Sequence, residues 1–198
     1  SADMHLENVS VQGGTLSLND VASVSGDIYV ASGATLVTDG DAISLGAGQT
    51  LTAQSGASVT LAGLSLDGGT LSLDLGAPTG AQEEAPSLSL AAAVAGSGGV
   101  ITLVGDLSSL ETAQLMLAKG DWSHFANGGL SLESLSLLGG GSTPLSYSLL
   151  ANSEGLYLSL AAVSDADSNI WAGTADAHEW DADSFSVYGP GALAEKAI

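Results

Sequence analysis

GGTLSL at residues 13–18 returns letter for letter at residues 68–73, and the reading of this chain turns on what lies between the two copies. SGATL (32–36), AGQTL (47–51) and SGASV (55–59) carry the same phrase in looser form: glycine, a hydroxyl-bearing residue, an aliphatic one. Counted on the aliphatic residue, Leu16 to Leu36 is 20 positions, Leu36 to Leu51 is 15 and Leu51 to Leu71 is again 20, with Val59 as an extra beat. A strand-plus-turn unit recurring at about this length is expected of a stack in which each unit buries its apolar face only against its neighbours. Within each unit, apolar and polar residues alternate (Val9, Val11; Leu16, Leu18; Ile28, Val30; Leu71, Leu73, Leu75), the period of a strand with one buried face. The inward positions therefore include Leu16, Leu36, Leu51, Leu71 and Leu73. Asn19-Asp20, Ser32-Gly33 and Asp39-Gly40-Asp41 read as turns.

Composition agrees with a ladder-like core. Hydrophobic residues make up 45% of the 198, yet aromatics only 5%, so the interior is built of Leu, Val, Ile and Ala. Charged residues are 12%, too few for a solvated disordered chain. Net charge is −20, with Lys119 and Lys196 the sole Lys or Arg residues. Such a surface repels phosphate backbones, and nucleic acid is excluded as a partner. Without cysteine there is neither a disulfide framework nor a thiolate metal site. No run approaches the length of a membrane helix. The opening SADMHLEN has the look of an excised or processed piece of something larger.

Farther along, GAPTGAQEEAP (76–86) is the clearest loop, an insertion after which alternation resumes at once in SLSLAAAV (87–94). Residues 106–118 carry the one plausible helix start, with Asp106 or Ser108 as cap. Tyr147–Leu150 and Leu156–Leu160, separated by ANSEG, form a hairpin whose Tyr157 and Leu158 close the end of the stack. Beyond Val163 the text turns acidic and aromatic, so the expected division is a β-stack over residues 1–163 and a cap, or the start of a next module, over 164–198.

Candidate chemistry is thin. Asp165, Asp167 and Asn169 have the alternate-residue oxygen spacing with which calcium loops begin, but lack the glycine and closing glutamate of such a loop; calcium is the one cofactor they suggest. Trp171, Trp180 and Tyr188, with Phe185, suit either stacking against a sugar or capping the apolar ladder. His178 with Glu179 and Asp181 is an incomplete zinc set. Glu83-Glu84 reads as a solvated loop tip. DWSH (121–124) gathers an acid, a serine and a histidine, but triads converge from distant segments, so Trp122 and Phe125 are expected to bury that turn instead. No G-x-S-x-G elbow occurs, and no catalytic residue is assigned.

The Gly-Gly-Thr-Leu phrases, VITLVGD…LMLAKGDW, the closing GLYLSLAAV and then SNIWAG with a second Trp nine residues on resemble the passenger regions of bacterial autotransporters, in particular those with autotransporter-associated β-strand repeats. The resemblance spans about residues 13–180 and rests on motifs of low complexity. It implies an extracellular or cell-surface passenger whose membrane barrel lies in another part of the full-length protein. The fold expected is all-β, a right-handed parallel β-helix (β-solenoid) with a hairpin cap. Its expected role is a non-catalytic adhesin or stalk, meeting a host or matrix glycan or protein surface and self-associating end to end. The rivals are a polysaccharide hydrolase using paired carboxylates and an inert spacer.

Overall fold

The computed structural model describes residues 4–19, 21–40, 42–78, 87–107, 114–138, 145–162, 169–171 and 185–187. Alternating aliphatic and hydroxyl residues broken by turn residues give a succession of strands: β1 (Met4–Leu6), β2 (Val9–Val11), β3 (Thr15–Asn19), β4 (Val21–Val24), β5 (Ile28–Val30), β6 (Thr35–Asp39), β7 (Ile43–Gly46), β8 (Thr50–Ala53) and β9 (Ser58–Leu61). Strands of more varied length follow: β10 (Leu64–Asp74), β11 (Ser87–Leu90), β12 (Ala95–Asp106), β13 (Gln114–Lys119), β14 (Leu130–Leu138), β15 (Leu145–Ala151), β16 (Gly155–Ala162), β17 (Asn169–Trp171) and β18 (Phe185–Val187). Among the described residues there is no α-helix, only a 3-10 turn at Ser123–Phe125.

Two seven-stranded sheets dominate. Sheet I runs β14-β12-β10-β8-β5-β2, with β7 joined to β10; sheet II runs β15-β16-β13-β11-β9-β6-β3. From β2 to β14 the chain passes back and forth between the sheets, so strands that neighbour each other in a sheet are not consecutive in sequence and pair in parallel. β10 is long because it meets two strands along one edge, β7 through Leu64–Gly68 and β8 through Thr70–Leu73, and β12 along the other, with register shifts where it bends. β1 and β4 form a separate parallel pair.

Parallel pairing with period-two side chains makes straight apolar columns inside. Sheet I aligns Val9, Ile28, Leu51, Leu71 and Ile101; sheet II aligns Leu16, Leu36, Val59 and Leu88. Leu36, Leu51, Val59, Leu71, Leu73 and Ile101 are wholly shielded from water. At about 25 cal/mol per Å² of apolar area, each such leucine contributes about 1.5–3 kcal/mol of transfer free energy. Thr38 is the one buried polar side chain in this core among the described residues, and its hydroxyl accepts from the Ala62 amide at 3.0 Å.

Three expectations need correction. Leu36 and Leu51 do not belong to one series: Leu36 pairs with Val59 in sheet II, whereas Leu51 pairs with Ile28 in sheet I. Val59, counted as an extra beat, is the true neighbour of Leu36. The proposed helix over 106–118 is absent where it is described. Asp106 ends β12, and Gln114–Lys119 is a strand with Leu115 and Leu117 fully buried in the alternation of a sheet; residues 108–113 lie outside the described residues. Leu16 lies in the inner column but is only half-buried, because β3 is the edge of its sheet.

Residues 145–162 do form a hairpin. β15 and β16 are neighbours in sheet II, and β16 reverses the sheet by pairing antiparallel with β13. Its turn is fixed by Asn152, whose amide donates to the Gly155 carbonyl and whose Oδ1 accepts from the Glu154 and Gly155 amides. Leu156 and Leu158 are fully buried, and Tyr157 is half-buried. By contacts the chain divides into two units, 1–141 with 147–160, and 142–146 with 161–198. In the second, β17 pairs antiparallel with β18.

Candidate functional site

The outer face of sheet I is the surface with the most regular chemistry. Ser10, Tyr29, Thr52, Ser72 and Thr102 stand side by side on five successive strands, and Thr50 and Thr70 form a second row beside them. These positions alternate with the buried aliphatics, which is why every one points outward. Neighbours in a parallel sheet lie about 4.8 Å apart. All except the exposed Ser10 are half-buried by their neighbours. The five-residue row is uncharged, and it ends at Glu133 on β14. Sheet II repeats the theme more loosely: the hydroxyls of Thr60 and Ser89 lie 3.2 Å apart.

Carboxylates in this part of the molecule brace turns. Asp27 accepts from the Thr50 amide at 2.8 Å, Asp74 from the Gly76 amide at 2.9 Å. Asp67 accepts from the Ser65 hydroxyl (2.8 Å) and the Ser97 amide (3.0 Å), and these bonds hold its carboxyl below the ordinary 3.8. A general acid for glycoside cleavage needs the opposite displacement.

DWSH does not assemble a nucleophile. The Asp121 carboxylate accepts from the Ser123 hydroxyl (2.6 Å) and amide (2.9 Å), which lowers its pKa. His124 Nε2 donates instead to the Gly96 carbonyl at 2.8 Å. Trp122 and Phe125 are buried, as the sequence leads one to expect. A cleft of about 100 Å³ beside Phe125, Leu130 and Leu149 is small against the several hundred Å³ of an ordinary ligand pocket. Among the described residues no three His, Asp or Glu side chains are grouped to hold a metal ion.

Of the sequence-derived candidates, Asp165, Asp167, Trp180 and Tyr188 lie outside the described residues, as do His178, Glu179, Asp181 and the Glu83-Glu84 pair. Asn169 and Trp171 are the first and last residues of β17, opposite Val187 and Phe185 of β18. The hydroxyl rows of sheet I were not singled out from the sequence. Their signal is there, in the outward positions of each TLT or TLS phrase, but only the strand register shows which phrases share a face.

The chain matches no known family, no curated protein and no solved structure.

Proposed function

We propose that this chain is a right-handed parallel β-helix from a surface-displayed or secreted bacterial protein, acting as a non-catalytic binding or stalk module of the adhesin type. The parallel strands dealt alternately to two sheets, with unbroken apolar columns between, support the β-helix; the resemblance to autotransporter passengers supports the setting. One observation carries the functional reading: an uncharged row of hydrogen-bonding side chains crosses five strands in a chain of net charge −20. Such a face meets a neutral glycan or protein surface without the repulsion the rest of the chain exerts on anions. Asp67 and Asp121 each accept hydrogen bonds from nearby serines, which unfits these two as the raised general acid of the hydrolase alternative.

The test is retention of beads coated with the chain on immobilised neutral glycans and matrix proteins, with Thr52→Glu/Thr102→Glu as the comparison. Retention by the parent that falls at least tenfold in the double variant supports the reading. Equal retention of both, or release of reducing ends by the parent, rejects it.

A further inference from the structure

The two ends of sheet II are finished differently. At one end β13 is covered by the hairpin of β16 and β15, so parallel pairing stops against an antiparallel strand. At the other, β3 is the last strand, and no strand among the described residues pairs with its outer edge.

The orientation of that edge can be worked out. The Gly14 carbonyl accepts from the Thr35 amide on the β6 side. Because the N–H and C=O of successive strand residues point to alternate edges, Leu16 and Leu18 also direct theirs toward β6. Thr15, Ser17 and Asn19 direct theirs outward, to the open edge. Above this edge the apolar column is incompletely covered: Leu16 is half-buried, whereas Leu36 and Val59 in the same column are fully shielded. An open edge is normally blunted with lysine, proline, an inward charge or a bulge. Thr15–Asn19 has none of the three residue types, and it pairs with β6 in unbroken register.

We propose that β3 pairs with β3 of a second copy of this chain, antiparallel and centred on Ser17, to give an isologous dimer. Self-complementarity selects the partner. With Ser17 opposite Ser17 of the second copy, Thr15 falls opposite Asn19, and each of these facing pairs exchanges two outward-pointing hydrogen bonds. Leu16 then falls opposite Leu18 on the inner side, so the apolar column continues across the two-fold axis. The strand has five residues with leucines at the second and fourth, so reversing it about its centre leaves the pattern unchanged. Two chains of charge −20 repel one another, so association strengthens as salt screens them.

Sedimentation of the intact chain over a range of concentrations, at low and at high salt, measures this directly. A reversible shift from 19.4 kDa to twice that mass, favoured by salt, is expected. Ser17→Pro removes one outward N–H and no bond to β6, so it should leave the chain folded and monomeric. Circular dichroism and the melting temperature report whether it is folded. The chain has no cysteine, so Ser17→Cys introduces a single thiol. Facing Cα atoms about 5.5 Å apart in such a pair lie within disulfide reach, so mild oxidation should cross-link this variant well ahead of Ser72→Cys on the other sheet. A chain that stays monomeric under all these conditions overturns the proposal. So does a dimer that survives Ser17→Pro, or cross-linking at Ser17 no faster than at Ser72.

Discussion

Gly13 and Gly69 stand first and second in the two copies of one hexapeptide, and an added methyl group meets different surroundings at each. At Gly13 a Cβ has nothing within 4 Å and the backbone angle is ordinary. At Gly69 it would lie 2.5 Å from the Leu45 Cβ and 2.6 Å from the Leu45 carbonyl oxygen, on the neighbouring strand. Gly13→Ala should be neutral or stabilise by about 0.4–1 kcal/mol through the unfolded chain. Gly69→Ala should cost about 1–3 kcal/mol as overpacking, so chemical denaturation of the two variants should give midpoints on opposite sides of the parent or nearly so. Asp67 and Asp121 give a residue-scale prediction for pH. Both carboxyls titrate below 3.8 when folded because serine donors stabilise the anion. Their contribution is fully present above the unfolded value and is lost as pH falls through the lowered folded value, so melting temperature should drop on acidification below 3.8. Asp67 is exposed and Asp121 half-buried at the surface, so the effect is small. Asp67→Asn should lower the melting temperature near neutral pH and flatten part of that acid limb; an unchanged limb would assign the acid sensitivity elsewhere.

Identical local sequence takes two places in the fold. GGTLSL at 13–18 supplies β3 of sheet II, and at 68–73 it supplies the second half of β10 in sheet I. The strand, its turn and its inward leucines were legible because alternation and glycine are local signals. The sheet assignment was not, because it depends on how many residues lie since the previous corner, and the spacings vary. For the same reason the Leu36-to-Leu51 step looked like one series when it joins two. Helix was expected near 106–118 from a capping residue, but a cap signal is local and weak, and the pairing of β13 with β16 overrides it. The candidate face shared this difficulty: outward hydroxyls can be read strand by strand, their alignment cannot. A direct check on the register is to place a carboxylate on either side of β10. Leu71 is fully buried in a column with no polar partner, so Leu71→Asp should cost several kcal/mol and leave the chain unfolded or insoluble. Ser72 points outward, so Ser72→Asp should stay folded with a melting temperature within a few degrees of the parent.

For the whole chain, the charge of −20 and the want of arginine set it against polyanions, so DNA or heparin should show no retention of the chain at low salt. The candidate calcium residues Asp165, Asp167 and Asn169 lack the rest of a calcium loop, so millimolar calcium should move the melting temperature by no more than a degree or two. A gain of ten degrees would mean a bound ion, since stabilisation follows the logarithm of ligand excess over its dissociation constant. The hairpin of β15 and β16 has a further consequence, for the order of events during folding. Its strands are joined through Asn152–Glu154, so its closure costs little chain entropy, whereas every parallel pair in the sheets must first bring together residues some twenty or more apart. The hairpin should therefore form early and offer β13 a template. Structure should then spread toward β3, and pulse-labelled hydrogen exchange should show amides of residues 145–160 protected before those of 9–18. For a chain threaded through a pore with its C-terminal part emerging first, that gradient would turn folding into a ratchet, each new strand opposing the return of the one before it.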